Sequence, residues 1–323
     1  MNYAGLLQDT ECYRSLLREC EGGRASHAYL LESGDLLALD TLAKLFIARA
    51  EGFSEGSVEE KRVMDGSTFD ILFFPRPEKK GKMDVEDAAF ITDAAYLQPG
   101  ELTAKYFILA PTEPMSAAVQ NKLLKTLEEP PKTAVFLLLS KGGLLPTVVS
   151  RCRRMHLEPL GEDKVYRALL KAGYDEVVAS LSAAASRGQI GTAAQLAEKD
   201  GGRHAYESAA KFLLCVKRSP QILPVAAEIA AQKEDIPLVF DFLELLLRDA
   251  LVYRKLGASG ITLKNAVHDI AAVAQDYSDL AVLGILPKIA HARKRLRAYG
   301  NTTGCVDELL FSILEVKAKC PKS

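Results

Sequence analysis

No CxxC pair occurs in this sequence, and its six cysteines (Cys12, Cys20, Cys152, Cys215, Cys305 and Cys320) are scattered. No cysteine–histidine cluster has zinc-site spacing, so no metal is expected. Thiols placed this way read as buried or idle groups in a reducing compartment. There is no excess of basic residues either: 41 Lys and Arg face 42 Asp and Glu, a formal charge of −1. A dedicated nucleic-acid binder usually carries such an excess, so a direct grip on DNA is not the first expectation, though a local patch can sit inside a neutral total. No apolar run approaches the roughly 18 residues of a membrane span. The first residues lack the charged-then-apolar pattern of a secretory signal. A soluble, cytoplasmic chain with no membrane contact is expected. There is no internal repeat and no low-complexity tract.

What is present is 323 residues, nearly half of them hydrophobic. That is too long for one small core and implies two or three domains. Leu6, Leu7, Tyr13, Leu16 and Leu17 sit near helical spacing and predict a helix over 3–20, ended by Gly22-Gly23. HAYLL (27–31) reads as a buried strand, and Leu36 to Ala50 as a helix. Residues 51–69, rich in glycine, serine and charge, read as an irregular excursion. DILFF (70–74), YFILA (106–110) and AVFLLL (134–139) read as strands, with a short last one over 154–157. Between them fall a helix capped by Asp84 and another from Ser116 to Glu129, stopped by Pro130-Pro131. Apolar strands separated by helices predict a parallel sheet covered on both faces. After Pro159 only helices are expected: about three short ones over 162–199, a buried central helix at Leu238–Val252 closed by Gly257 and Gly260, and a striped helix bearing Arg293, Lys294 and Arg297.

Two strings carry the functional argument. Asn121 to Pro131 reads NKLLKTLEEPP, and Ser150, Arg151 and Cys152 spell SRC after Leu145-Pro146-Thr147. An amphipathic helix with a proline stop accounts for the pattern of the first string but not for its literal letters. Together the strings resemble the AAA+ clamp-loader subunits of bacterial DNA polymerase III, which open a ring-shaped clamp and place it on primed DNA. The resemblance implies an α/β AAA+-like doubly wound sheet over 1–160 with a degenerate P-loop, a small helical lid over 161–203 and an all-helical collar over 204–323. It is strong in the first part, moderate in the lid, and loose in the collar, where only Arg248-Asp249 and Asn301 before Glu308-Leu309-Leu310 carry it.

Family members that hydrolyse ATP follow a HAYLF-like strand with GxxxxGK and a Ser or Thr. There the backbone N–H groups cradle phosphate, the lysine neutralises it and the hydroxyl holds Mg²⁺. Aligned on His27 to Leu31, the two glycines become Ser33 and Ala38, the lysine Leu39 and the hydroxyl Asp40. A carboxylate at Asp40 would repel phosphate, yet suits a helix start, so Asp40 is expected to stabilise the beginning of that helix. The Asp-Glu pair that positions Mg²⁺ and water falls on Ala110 and Pro111. Glu113 is a loop carboxylate out of register. Ser140 stands where a polar residue ends the next strand. In the lid, Ser186-Arg187-Gly188 resembles the family's S-x-G segment, but the arginine that should follow is missing, with Thr192 or Gln195 near its place. Arg187 is a candidate substitute, or simply a solvated arginine. Residues 48–69 hold no cysteine, so the zinc module of many relatives is not expected.

In the family the SRC arginine is an arginine finger, acting on a neighbouring subunit's ATP. The resemblance therefore implies Arg151 in that role, with Ser150 and Cys152 as its motif context; the bland alternative is a surface salt bridge. Three readings stay open. One is a non-ATPase, delta-prime-like subunit with no cofactor of its own, working with gamma/tau-like motors and a delta-like subunit, and reaching the sliding clamp and primed DNA through the complex. The second is an active gamma/tau-like ATPase, against which Leu39, Asp40, Ala110 and Pro111 argue. The third is a helical scaffold or DNA-binding protein, supported only by the basic stretch Arg293 to Arg297.

Overall fold

Apolar runs with no in–out alternation can be satisfied only by burial on both faces, and they form the centre of the first unit. In a computed structural model, which describes residues 3–21, 25–231, 233–299 and 301–321, the elements in order are α1 (Ala4–Gln8), α2 (Glu11–Glu21), β1 (Ala28–Glu32), α3 (Leu36–Ala50), α4 (Val58–Met64), β2 (Ile71–Phe74), α5 (Val85–Ala95), β3 (Lys105–Leu109), α6 (Ala117–Glu128), β4 (Ala134–Ser140), α7 (Pro146–Val149) and β5 (Arg153–His156). The five strands make one parallel sheet in the order β2-β3-β4-β1-β5. In register, Leu30 pairs with Leu138 and with Arg154. Leu30, Phe107, Phe136 and Leu138 pack on one face with Ile91 of α5 and Leu123 and Leu127 of α6. Tyr29 meets Phe46 of α3 edge-on at 4.9 Å. The five strand segments expected from the apolar runs are all present, as an AAA+-like α/β sheet should have them.

Two local expectations need correction. The helix expected over 3–20 is two helices, because Thr10 intervenes: its hydroxyl donates to the Leu7 carbonyl at 2.6 Å and accepts from the Tyr13 N–H at 3.3 Å, ending one helix and starting the next. The Gly22-Gly23 stop lies outside the described residues. The excursion over 51–69 contains α4, a helix with little apolar periodicity. Polar contacts hold it instead: Ser57 caps it at the Glu60 N–H, and the buried Glu60 carboxylate pairs with Arg49 of α3 at 2.8 Å. The caps at Asp84 and Ser116 are as expected, the first forming a capping box with Asp87.

The second unit comprises residues 161–188 and 193–323, while Gln189–Thr192 cluster with the first. Its helices are α8 (Glu162–Lys171), α9 (Glu176–Ser186), α10 (Ile190–Glu198), α11 (Arg203–Cys215), α12 (Ile222–Ala231), α13 (Ile236–Leu256), α14 (Val267–Asp276), α15 (Asp279–Tyr299) and α16 (Thr302–Lys319). α13 is the buried centre. Phe240, Phe242, Leu243, Leu246 and Leu247 are wholly enclosed, and one core runs from Leu181 of α9 to Ile313 of α16. Gly257, at φ +67°, ends α13, a conformation that favours glycine.

Candidate functional site

In an open parallel sheet, ligands bind outside the carboxyl ends of the strands. Here that edge is formed by the residues after β1, β3 and β4. Ser33 leaves β1 by donating its N–H to the Ser140 carbonyl at 3.1 Å, and the Ser140 hydroxyl accepts from the Gly142 N–H at 2.9 Å. Asp35 then caps α3, its carboxylate taking the Ala38 N–H at 3.2 Å. The expected role of Asp40 is therefore corrected. Asp40 lies beyond the first turn and pairs with Lys44 at 2.8 Å, whereas the orphan amides at the helix start are reached by Asp35.

The Asp35 carboxylate has a second partner. The Gly191 N–H donates to it at 2.7 Å, and the group is buried. A Cβ on Gly191 would lie 2.6 Å from an Asp35 oxygen, 2.6 Å from Leu37 Cβ and 2.9 Å from the Ala38 nitrogen. Only a glycine lets this main chain approach so closely. Burial pushes the Asp35 carboxyl above its ordinary value, opposed by the N–H groups of Gly191, Ala38, Thr192 and Leu37. A helix N-terminus facing such a crevice can hold an external anion; in this chain its own carboxylate and the first residues of α10 are already there.

The other aligned positions carry no cationic side chain. Leu39 and Ala38 are core residues, with Leu39 fully enclosed. Ala110 gives its N–H to the Phe74 carbonyl at 2.7 Å, and Pro111 has no N–H to give. Glu113 is exposed, and its N–H leans on the Gly81 carbonyl at 3.4 Å. The second unit holds Arg187 elsewhere. It occupies a left-handed position, φ +53°, at the end of α9, and bonds Asp241 at 3.2 Å and Glu244 at 3.0 Å, both of which Arg293 also grips. The Arg187 side chain is more than half exposed and is shared between these two carboxylates. The basic stretch of α15 is partly neutralised in the same way, by Arg293 and by an Arg295–Glu308 pair.

The SRC segment is built on α6 and α7. Buried Gln120 of α6 donates to the Met115 carbonyl at 2.9 Å and accepts the Leu145 N–H at 2.6 Å, fixing the start of α7. Ser150 caps the end of α7 and returns its hydroxyl to the Thr147 carbonyl at 3.1 Å. Arg151 donates from Nη1 to the same carbonyl at 2.7 Å and to Ser150 Oγ at 3.3 Å, and pairs through Nη2 with Glu128 at the end of α6. The Arg151 side chain is 32% exposed. Cys152 packs against the core shared by α5 and α6, and burial pushes its thiol up to about 11. Its contribution is packing, not nucleophilic chemistry. Arg153 and Arg154 are ion-paired to Glu19 and Glu32.

The family model described as "DNA polymerase III, delta subunit" matches residues 8–161, the stretch that holds Asp35 and SRC. The chain is 28% identical to DNA polymerase III subunit delta' of Escherichia coli (strain K12), over 94% of this chain and 91% of that protein. These matches support a clamp-loader subunit of the delta-prime type. DNA polymerase III subunit delta' of Bacillus subtilis (strain 168) is 25% identical over 93% of this chain and 94% of that protein. The fold is also that of a DNA polymerase III gamma subunit-related protein from Thermotoga maritima, with a TM-score of 0.53 and 19% identity over 95% of this chain and 100% of the other.

Sequence reasoning singled out Arg151, Ser150 and Cys152 and the aligned positions Ser33, Ala38, Leu39, Asp40, Ala110 and Pro111. It missed Asp35, Gly191 and Gln120. Asp35 carried a usable signal, an Asp just before an apolar helical run. Gly191 and Gln120 carried none, because their partners lie far along the chain.

Proposed function

We propose that this clamp-loader subunit has no ATPase activity of its own and acts as a stator in the cytoplasm. It works beside gamma/tau-like motor subunits and a delta-like subunit as the complex loads a sliding clamp on primed DNA. It needs no metal or cofactor of its own. Arg151 serves as an arginine finger in trans, stabilising charge on the phosphoryl group of a neighbour's ATP. The helical second unit divides at 203/204 into lid and collar. The observation that carries this reading is the contrast within one unit: Asp35 and Gly191 fill the chain's own phosphate crevice, while Arg151 is part-exposed and backed by fixed acceptors. Nothing favours the active-ATPase reading, since the position of the phosphate-binding lysine is the fully enclosed Leu39.

The test is reconstitution with motor and delta-like subunits, clamp and primed DNA, comparing wild type with Arg151→Ala and Arg151→Lys. Turnover should fall at least about tenfold in both, because an ammonium lacks the planar fork of guanidinium. An unchanged rate with Arg151→Ala sinks the finger assignment. ATP binding by the isolated chain with turnover, seen by equilibrium dialysis, sinks the non-ATPase assignment.

A further inference from the structure

The string LLKTLEEPP identifies the family, but helix packing explains only part of it. Leu123 and Leu127 fill the core, and Thr126 bonds Thr92 at 3.1 Å. Glu128 is exposed and contributes nothing to that packing. Among the described residues its side chain engages the Nη2 group of Arg151.

A guanidinium has five N–H donors in a rigid plane. In Arg151 both Nη1 donors are accounted for, by the Thr147 carbonyl and Ser150 Oγ. Nε is buried without a partner, so it faces no incoming ligand. The donor left to present outward is therefore on Nη2, the nitrogen that Glu128 holds. Two main-chain and hydroxyl acceptors fix one end of the plane, and the carboxylate fixes the other. Gln120, on the buried side of the same helix, ties down the start of α7. One helix thus secures the segment at both ends.

We infer that Glu128 is a positioning residue for Arg151: its carboxylate orients the free Nη2 edge toward the phosphoryl oxygens of a neighbouring subunit's ATP. This rests on the proposed role of Arg151. A purely structural surface pair would contribute little and would leave catalysis alone, which makes the two separable.

The experiment uses the reconstituted loader with clamp and primed DNA, and compares Glu128→Gln, Glu128→Asp, Arg151→Ala and the double variant Glu128→Gln/Arg151→Ala. A misdirected group costs turnover rather than ground-state binding, with effects up to about a hundredfold for small displacements. Glu128→Gln should lower kcat about fivefold or more with KM for ATP within about twofold, since the lost interaction acts in the transition state. Glu128→Asp, which keeps the charge, should recover part of that loss. In the double variant Glu128→Gln should add nothing to Arg151→Ala, because the two act as one unit. Wild-type turnover by Glu128→Gln beside an impaired Arg151→Ala overturns the positioning role and leaves the arginine finger standing. A further loss in the double variant also overturns it, since Glu128 would then act elsewhere. Full activity of Arg151→Ala removes the finger itself, and the positioning role with it.

Discussion

Asp35 and Gly191, 156 positions apart, meet through a 2.7 Å hydrogen bond that joins the start of α3 to the start of α10. The same carboxylate caps the helix at Ala38. One side chain thus satisfies amides from two distant stretches.

Asp35→Ala should cost about 2 kcal/mol, from the lost cap and the Gly191 N–H left without its acceptor. Hydrogen exchange at Gly191 should accelerate while the strand amides keep their protection. Unaltered exchange at Gly191 would show that the bond holds nothing. Gly191→Val should destabilise as well, given the 2.6 Å approach to Leu37. The pH dependence has a definite sign. Burial raises the folded carboxyl, so the unfolded chain ionises first as pH rises. The contribution is fullest below the ordinary carboxylate range and declines as pH climbs through the folded value. Asp35→Asn should remove that decline from the stability profile.

Asp70 should behave oppositely. Burial alone would raise its carboxyl, but the N–H groups of Glu101, Leu102 and Gly100, aided by Lys105, outweigh it and hold the group below its usual range. Those bonds measure 2.6 Å to Glu101, 2.9 Å to Leu102 and 2.9 Å to Gly100. The stability they confer is present above the unfolded value and lost as pH falls through the folded one. Asp70→Asn should therefore cost about 1.5–3 kcal/mol at neutral pH in urea unfolding. The gap to wild type should narrow in acid; a constant gap would contradict the assignment.

The cysteines should separate by reactivity. Burial pushes the Cys12 thiol up to about 12 and that of Cys152 up to about 11, whereas Cys215 is exposed. The thiolate is the reactive form. Mass spectrometry after brief treatment with a thiol reagent at neutral pH should find Cys215 modified before Cys12 or Cys152. Early labelling of Cys152 would mean that the SRC segment opens in solution.

The sheet was legible because β1, β3 and β4 are runs of apolar letters with no polar face to confuse their burial. The enclosure of Leu39 was legible too, as one apolar letter in the helical stripe of α3. α4 was not, since a Ser57 cap and the Arg49–Glu60 pair define it, and neither has a hydrophobic period. Asp40 misled because an Asp near a helix start has the same sequence appearance whether it caps or, as here, pairs with Lys44 one turn on. Arg187 was beyond reach for another reason: its carboxylates lie 54 and 57 residues away on α13.

β5 closes one side of the sheet, and only Met155 of its four residues is buried. Its Arg153 and Arg154 are exposed, each tied to a glutamate of its own unit. An open strand border carries unsatisfied main-chain groups that invite a stray chain to join it. Two guanidinium groups on that border make such joining costly, because a newcomer strand would have to lie beside charge. That border is thereby a poor template for pairing with a second copy of the chain.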